Sequence, residues 1–223
     1  MLLLASGFAI AQKSSGLSVD VPESRTMATQ RRVDELFDAG NYKRAFFLYR
    51  NELAPLGDKY AQYMVGYMYL SGKGIDEDYV AASAWYRLAA ERGTREFIAV
   101  RDQLTRNLTD EQIFRSDALY SKLRREYCDL VILLSFIKRD VSELQIKTGT
   151  RVNSRSSPIL IVETRIGRVR TGFDYYSGIR DKLEDRLRLL KEVGDFQDLE
   201  IDPDHVNVHE LERRVEARLS FGE

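Results

Sequence analysis

The sequence contains little cysteine, proline, histidine and tryptophan. Its 223 residues include one cysteine, four prolines, two histidines and one tryptophan. The single cysteine, Cys128, excludes a disulfide within the chain. Because Cys128 lies close to Leu130 and Val131, we expect a buried thiol that behaves as a small apolar residue and not as a nucleophile.

The chain also lacks an excess of charge of one sign. Lys and Arg total 34 and Asp and Glu total 35, so the formal net charge is −1. Bulk charge therefore indicates neither nucleic acid nor an acidic surface as a partner. Beyond the first residues, no stretch approaches the roughly 18 to 20 consecutive apolar residues that cross a bilayer, and we expect no membrane span.

Signatures of a catalytic centre are missing as well. No serine lies in a nucleophile elbow, and no glycine-rich phosphate loop is present. His205 and His209 stand four residues apart, as helical metal ligands do, but the last predicted helix begins only at Asn207. We therefore predict a protein that is not an enzyme and that has no metal site and no cofactor.

The first eleven residues, MLLLASGFAIA, form an apolar run that ends in a small-x-small pattern before Gln12. This pattern predicts a signal peptide cleaved after Ala11 and a periplasmic or secreted protein of a bacterium. Without cleavage, the expected location is the cytoplasm. Residues 12–25, which are rich in Ser, Gly and Pro, are predicted to be a flexible lead-in.

Residues 57–93, GDKYAQYMVGYMYLSGKGIDEDYVAASAWYRLAAERG, predict a helical hairpin. Its helices span about 59–70 and 79–92. Gly72 and Gly74 provide the turn, Asp78 is the expected N-cap, and Gly93 closes the second helix. The same pattern occurs 37 residues earlier, where Asn41, Tyr42, Ala45, Leu48 and Tyr49 precede Asp78, Tyr79, Ala82, Trp85 and Tyr86. A fixed period of this size indicates a helical-repeat array.

The hairpin resembles a known family through four short motifs, which are Val65-Gly66-x-x-Tyr69, Gly72-Lys73-Gly74-Ile75, Trp85-Tyr86 and Ala89-Ala90-Glu91-x-Gly93. These are similar to the Sel-one-like repeat, a relative of the tetratricopeptide repeat. The resemblance covers residues 31–93 and implies a short α-solenoid that binds a protein or peptide. It further implies a binding groove lined by Tyr60, Tyr63, Tyr67 and Leu70, with Arg31, Asp34 and Asp38 at the matching positions of the first hairpin.

A long helical segment follows the repeats. After a helix over 94–105, Thr109 and Gln112 form a capping box, and residues 110–147 contain neither proline nor glycine. Their apolar residues recur at heptad spacing, which is typical of a coiled coil. The segment is either one rod or two helices with a break near Tyr127. A homodimer through this segment is one alternative, and packing within the chain, which we favour, is the other.

The last third of the chain predicts a small mixed module. A loop over 149–158 precedes a β-hairpin over 159–172, a helix over 176–193 and a last helix capped by Asn207. Basic residues concentrate just before and within the hairpin, at Lys147, Arg151, Arg155, Arg165, Arg168 and Arg170. They suggest binding of an anion or nucleic acid, but the absence of interleaved aromatics favours a solvated basic face.

The predicted fold is therefore mainly α. A short α-solenoid of helical hairpins occupies 26–126, a long connecting helix occupies 127–148, and a small α+β C-terminal module occupies 149–223. The predicted function is that of a protein- or peptide-binding adaptor in the bacterial envelope. The alternatives are a structural dimer formed through the heptad helix and an anion or nucleic-acid binder formed by the basic stretch 147–170.

Overall fold

A computed structural model describes residues 24–145, 160–163 and 168–220. These residues are mainly helical, with one two-stranded sheet, so the predicted fold class is confirmed. The predicted signal peptide, residues 12–23 of the lead-in and most of the basic stretch 147–170 lie outside the described residues. No helix in the described part of the chain combines the length and the apolar character that a membrane crossing requires.

The chain divides into two units, one ending at Ile132 and the other beginning at Leu133. The first unit contains two consecutive helical hairpins, followed by two further helices. In chain order its helices are α1 (Ser24–Asp38), α2 (Tyr42–Leu48), α3 (Lys59–Ser71), α4 (Tyr79–Ala89), α5 (Arg95–Thr105) and α6 (Asp110–Tyr127). A π-helical turn, Tyr49–Leu53, and a 3-10 turn, Ala54–Leu56, extend α2, and a 3-10 turn, Ala90–Arg92, extends α4.

Local signals place the hairpin ends where the sequence predicts them. The Asp78 carboxylate accepts hydrogen bonds from the backbone N–H groups of Val80 and Ala81, at 2.9 and 3.0 Å, and begins α4. Thr109 and Gln112 form the predicted capping box at the start of α6. Gly72, Gly74 and Gly93 have φ values of 64°, 79° and 75°, as the turn and helix end require. Residues 24 and 25 of the lead-in already belong to α1.

Asn41 is the N-cap residue of α2, as Asp78 is of α4, but its side chain does not cap the helix. Asn41 has φ −81° and ψ 59°, and its side chain makes no capping hydrogen bond to α2. Its backbone N–H instead donates to the Leu36 oxygen at 2.8 Å, which makes Asn41 part of the C-terminal closure of α1. The turn between α1 and α2 is so short that Asn41 both closes α1 and directly precedes α2. Although Asn41 matches Asp78 in the 37-residue period, its side chain therefore does not cap a helix as that of Asp78 does.

Two glycines allow close packing between these helices. A Cβ atom on Gly66 would lie 2.8 Å from Cδ1 of Tyr86, so the bare backbone of α3 is what admits the Tyr86 ring. A Cβ atom on Gly74 would lie 2.4 Å from the backbone oxygen of Tyr42. The turn of the second hairpin therefore packs directly on the start of α2, and any side chain at position 74 would separate the two.

The predicted long helix over 110–147 is two helices. α6 ends at Tyr127, and α7 runs over Asp129–Gln145, with Cys128 between them in an extended conformation (φ −71°, ψ 158°). The break leaves backbone C=O and N–H groups without a partner in the helices, and side chains of the repeat hairpin form hydrogen bonds with them. The buried Gln62 amide donates to the Tyr127 oxygen at 3.1 Å, and the Asp129 N–H donates to Glu91 at 3.3 Å. The alternative of a break near Tyr127 is therefore the right one.

A buried ionic network fixes this break. The Asp129 carboxylate accepts two hydrogen bonds from the Arg92 guanidinium, at 2.7 and 3.0 Å, and lies 3.0 Å from the Lys59 ammonium. Lys59 also contacts Glu91 at 2.7 Å and Gln62 at 3.1 Å. The side chains of Lys59 and Asp129 are only 5% and 3% exposed. Desolvated charges of this kind depend on every partner being present, and the network therefore binds α3, the end of α4 and the start of α7 together.

Cys128 lies at the break and is fully buried. Burial raises the pKa of its thiol to about 11, so the group stays protonated at neutral pH. The structure thus confirms the expected burial of the cysteine, although the charged side chains of Glu91 and Lys59 lie close to it. The heptad stripe of the two helices also turns inward at several positions, since Leu130, Ile137 and Val141 are buried within the chain. This burial favours the alternative of packing within the chain over a coiled-coil homodimer.

The second unit contains the rest of α7 and a small α+β arrangement. Strands β1 (Leu160–Glu163) and β2 (Arg168–Thr171) pair antiparallel, with Leu160 opposite Thr171. Helices α8 (Gly172–Gly194) and α9 (Val208–Ser220) follow. Their core is apolar and consists of Ile137, Val141, Ile179, Leu183, Leu187, Leu190, Leu211, Val215 and Leu219. A buried ion pair between Asp140 and Arg186 lies in the same unit.

The predicted start of α8 at residue 176 is late. Thr171 Oγ1 accepts a hydrogen bond from the Asp174 N–H at 3.1 Å and caps the helix, so α8 begins directly after β2. The predicted cap of the last helix is confirmed, because Asn207 Oδ1 accepts from the Glu210 N–H at 3.1 Å. His205 and His209 are exposed and contact Asp202 and Glu212, respectively. Within the described ranges, no group of three or more His, Cys, Asp or Glu residues is arranged to hold a metal ion.

Replacing Asp129 by alanine is expected to lower the free energy of unfolding of the first unit by about 3–5 kcal/mol, because Lys59 and Arg92 would lose their shared buried counter-charge. Trp85 is the single tryptophan, and its ring lies 5.2 Å from that of Tyr127, beside the break. Trp85 fluorescence during urea unfolding therefore follows this unit.

Asp117→Ala is the control for this measurement. Asp117 pairs with Arg87 on the surface, and its side chain is 55% exposed, so its loss is expected to cost about 1 kcal/mol or less. Similar small losses for the two variants would show that the Asp129 network does not stabilise the break.

Candidate functional site

A cavity of about 820 Å³ opens in the first unit, bordered by α3, the start of α4, α5 and the start of α6. Its volume lies within the range of roughly 300–1,000 Å³ that ligand-binding pockets occupy. The repeat hairpin provides one wall through residues 63–86, and the two helices that follow it provide the other through residues 100–112. The hairpin and the helices that close the array therefore build this site together.

The floor of the cavity is aromatic and buried. Tyr63 and Tyr86 are 4% and 1% exposed, and Leu104 is 8% exposed. The Tyr63 ring stacks on Phe97 with centroids 5.1 Å apart and lies 5.2 Å from the Tyr86 ring. Tyr86 reaches this position because Gly66 has no side chain. The floor is thus made of closely packed rings, and only a small part of their surface faces the cavity.

The hydroxyl groups of the floor are neutral at physiological pH. Burial, followed by the proximity of Tyr67, raises the pKa of Tyr63 to about 12. Burial likewise raises the pKa of Tyr86, whose hydroxyl is hydrogen-bonded to that of Tyr63. The cavity therefore presents weakly polar, uncharged tips on an otherwise apolar surface, which suits an apolar or aromatic side chain of a ligand.

The walls and rim are more polar than the floor. The walls consist of the half-buried side chains of Tyr67, Leu70, Val100, Leu108 and Gln112, and the rim consists of the exposed side chains of Ser71, Glu77, Tyr79, Gln103 and Asn107. Among the described residues that line the cavity, Glu77 has the one carboxylate, and none is Lys, Arg or His. The rim is therefore able to form hydrogen bonds in several directions and carries negative charge.

Three of the predicted groove residues line this cavity. They are Tyr63, Tyr67 and Leu70. Tyr63 lies on the floor, and most of its ring surface is used in packing against α5. The other predicted residues are Tyr60, Arg31, Asp34 and Asp38, and they are not among the lining residues.

Those four residues lie on α1 and at the start of α3, where a second set of contacts forms. The Tyr49 hydroxyl donates a hydrogen bond to Asp34 at 3.0 Å, and the rings of Tyr49 and Tyr60 pack edge to face at 6.4 Å. Burial raises the pKa of Asp34, and burial raises the pKa of Tyr60 to about 12. Arg31 and Asp38 are exposed on α1. A role of this set in binding a protein stays a prediction.

The sequence does not predict half of the cavity. That half is supplied by α5, the α5–α6 turn and α6, through Val100, Gln103, Leu104, Asn107, Leu108 and Gln112. The one local signal is the capping box, which places the α6 start close to the end of α5. No spacing in the sequence relates these residues to α3.

Lys73 contacts Tyr67 on a cavity wall and also contacts two aromatic rings of the first hairpin. The Lys73 ammonium lies 5.1 Å from the ring centroids of Phe37, Tyr42 and Tyr67, and it donates a hydrogen bond to the Tyr67 hydroxyl at 3.1 Å. Each ring attracts the cation through its negative face. This aromatic cage links the turn of the second hairpin to the first hairpin and orients one wall of the cavity.

Helical hairpins in tandem define the first unit as a helical-repeat domain. Comparison with known families makes the assignment specific, because residues 59–94 match the family model of the Sel1 repeat. The match begins at the first residue of α3 and extends just past Gly93, so the predicted resemblance to the Sel1 repeat is confirmed for this segment. Sel1 repeats generally mediate protein–protein interactions. No curated protein and no solved structure matches the chain.

The stability of the first unit is expected to fall as the pH rises from about 10 to about 12. The folded pKa of Tyr63 is about 12 and that of an unfolded tyrosine is about 10. The unfolded chain therefore loses its proton first, and the stability that Tyr63 contributes, complete below about pH 10, is lost over this interval.

Tyr63→Phe removes this contribution and is expected to make the fall shallower by about 1–3 kcal/mol. The measurement is urea unfolding followed by Trp85 fluorescence at pH 9 and at pH 11.5. Identical pH profiles for the wild type and the variant would contradict the burial of a protonated tyrosine at the cavity floor.

Proposed function

We propose that this chain is a protein-binding adaptor and that the cavity beside the Sel1 repeat receives a side chain from an extended segment of its partner. The observation that carries the proposal is the cavity itself, which combines a buried aromatic floor with an exposed polar rim. Binding energy at protein interfaces concentrates where one anchor side chain fills a desolvated pocket and polar groups surround it. The cavity has both parts of that arrangement.

The rim suits a peptide backbone. The Gln103 and Asn107 side chains each present an amide oxygen and an amide NH₂, the donor and acceptor types that pair with backbone N–H and C=O groups. Asn107 is oriented by a hydrogen bond from its Nδ2 to the Gln103 backbone oxygen at 2.7 Å. A peptide that places one side chain on the floor is thereby able to pair its main chain with the exposed end of α5.

The proposed role is binding without catalysis. Sel1-repeat proteins are typically interaction modules and not enzymes, and the cavity floor consists of neutral tyrosines and an aliphatic residue. The proposal assigns the rim and floor to recognition, and it assigns no residue to a chemical step.

We also propose that the adaptor acts in the bacterial envelope. This part of the proposal is supported by the sequence of residues 1–11 alone. Cell fractionation with a C-terminally tagged full chain tests it, and the expected product is a periplasmic form shortened by about the length of that segment. Recovery of the uncleaved chain in the cytosolic fraction would contradict an envelope location.

Filling the cavity tests the binding role. Val100 lines the wall of the cavity from α5, and tryptophan at this position is expected to occupy the space above the floor without adding a charge. The Val100→Trp variant is expected to lose at least about nine-tenths of the partner that the wild type retains in a pull-down from native extract, because an anchor side chain no longer fits.

Ala99→Trp is the matched control. Ala99 is the preceding residue on the same helix, is exposed and does not line the cavity. It is expected to retain the partner, and circular dichroism is expected to show folded protein for both variants. Equal recovery of the partner with Val100→Trp and the wild type would show that the cavity is not the binding site.

A further inference from the structure

We propose that the cavity selects a partner segment in which an aromatic or long aliphatic anchor residue is followed by lysine or arginine. This inference rests on the proposed function and names the chemistry of the segment that the cavity takes. The anchor occupies the aromatic floor, and the cation pairs with Glu77 at the rim.

The charge of the rim carries the argument. Glu77 is the one charged residue among the described residues that line the cavity, and Asp76 and Asp78 flank it in the exposed turn between α3 and α4. Asp78 is engaged in capping α4, but the exposed carboxylates of Asp76 and Glu77 at one side of an apolar pocket create a negative potential that favours a cation and repels an acidic segment. The net charge of −1 for the whole chain conceals this local concentration.

Tyr79 and Glu77 are close enough to interact at the rim. Interaction with the Glu77 carboxylate raises the pKa of Tyr79. Tyr79 is 42% exposed at the mouth of the cavity. A lysine or arginine paired with Glu77 would therefore lie next to an accessible tyrosine ring, and its attraction to the ring face adds to the ion pair.

The helix ends at the rim do not provide a competing site for an anion. The N-terminus of α4 is capped by Asp78, which accepts from the N–H groups of Val80 and Ala81. The N-terminus of α6 is closed by its capping box and has Asp110 and Glu111 in its first turn. Each positive helix end is thus already matched with acidic or capping groups.

Three basic residues on the segments that border the cavity either make other contacts or do not line it. Lys73, on the turn that contains Glu77, lies in the aromatic cage of α1, α2 and α3. Arg101 on α5 pairs with Asp102 at 2.7 Å. Arg106 is exposed at the end of α5 and is not a lining residue. None of these three cations forms an ion pair with Glu77.

The experiment uses three fluorescein-labelled peptides of ten residues, each with Gly-Ser flanks around a central pair. The pairs are Phe-Lys, Phe-Glu and Ala-Lys, and binding to the full chain is measured by fluorescence anisotropy. We expect the Phe-Lys peptide to bind about five- to tenfold more tightly than Phe-Glu. Ala-Lys is expected to bind more weakly than Phe-Lys because it has no anchor. Raising the salt concentration is expected to reduce the preference for lysine over glutamate.

Charge reversal at the rim is the decisive variant. Glu77→Lys is expected to reverse the order of the Phe-Lys and Phe-Glu peptides. Glu96→Lys, at an exposed position of α5 that does not line the cavity, makes the same change of charge and is expected to preserve the order. An unchanged order with Glu77→Lys, or the same shift with both variants, would overturn the assignment of the cation to Glu77.

The cavity-filling variant separates the failure of this inference from the failure of the proposed function. If Phe-Lys and Phe-Glu bind equally and both lose binding with Val100→Trp, the cavity binds peptides and the charge preference is wrong. Tighter binding of Phe-Glu by the wild type would also overturn the preference. Binding of none of the peptides, or binding that persists with Val100→Trp, would overturn both the preference and the cavity as a docking site.

Discussion

The packing of the first unit depends on the ion pairs that the buried Asp129 carboxylate forms with Arg92 and Lys59. This carboxylate lies where α6 ends and α7 begins, and it is matched by Arg92 and Lys59 from the two helices of the repeat hairpin. Removing these charges from water is costly, and the cost is offset only while each group keeps its hydrogen-bonding partners. The network therefore favours one arrangement of the hairpin and the helices that close it. A hairpin shifted along its neighbours would leave a buried charge without a partner.

The position of the cavity follows from packing that begins at a missing side chain. Gly66 admits the ring of Tyr86 against α3, Tyr86 places Tyr63, and Tyr63 stacks on Phe97 of α5. These aromatic contacts span the space between the hairpin and α5, and the cavity is what remains above them. The same residues thus serve both the core of the first unit and the floor of the cavity.

The neutral floor and the negative rim of the cavity come from different parts of the sequence. The floor is neutral because it consists of tyrosine and leucine side chains, whereas the rim is negative because the turn between α3 and α4 contains consecutive acidic residues. One of them, Asp78, caps α4, and another, Glu77, lines the cavity. The turn that joins the two helices of the repeat hairpin therefore also provides the negative charge of the cavity rim.

The sequence by itself determined the features that depend on residues a few positions apart. Asp78 as a cap, the capping box at Thr109 and the repeat hairpin could all be predicted, because helix geometry fixes the spacing of such groups. The different role of Asn41 could not be predicted, because the turn before α2 is shorter than the turn before α4 although the 37-residue spacing is the same. Only the tertiary structure decided where the long helix breaks and which half of the cavity α5 and α6 supply. Gln62 contacts Tyr127 across 65 residues, and Arg92 contacts Asp129 across 37. Contacts over such distances leave no periodic pattern in a single sequence, because they are selected by the packing of whole helices.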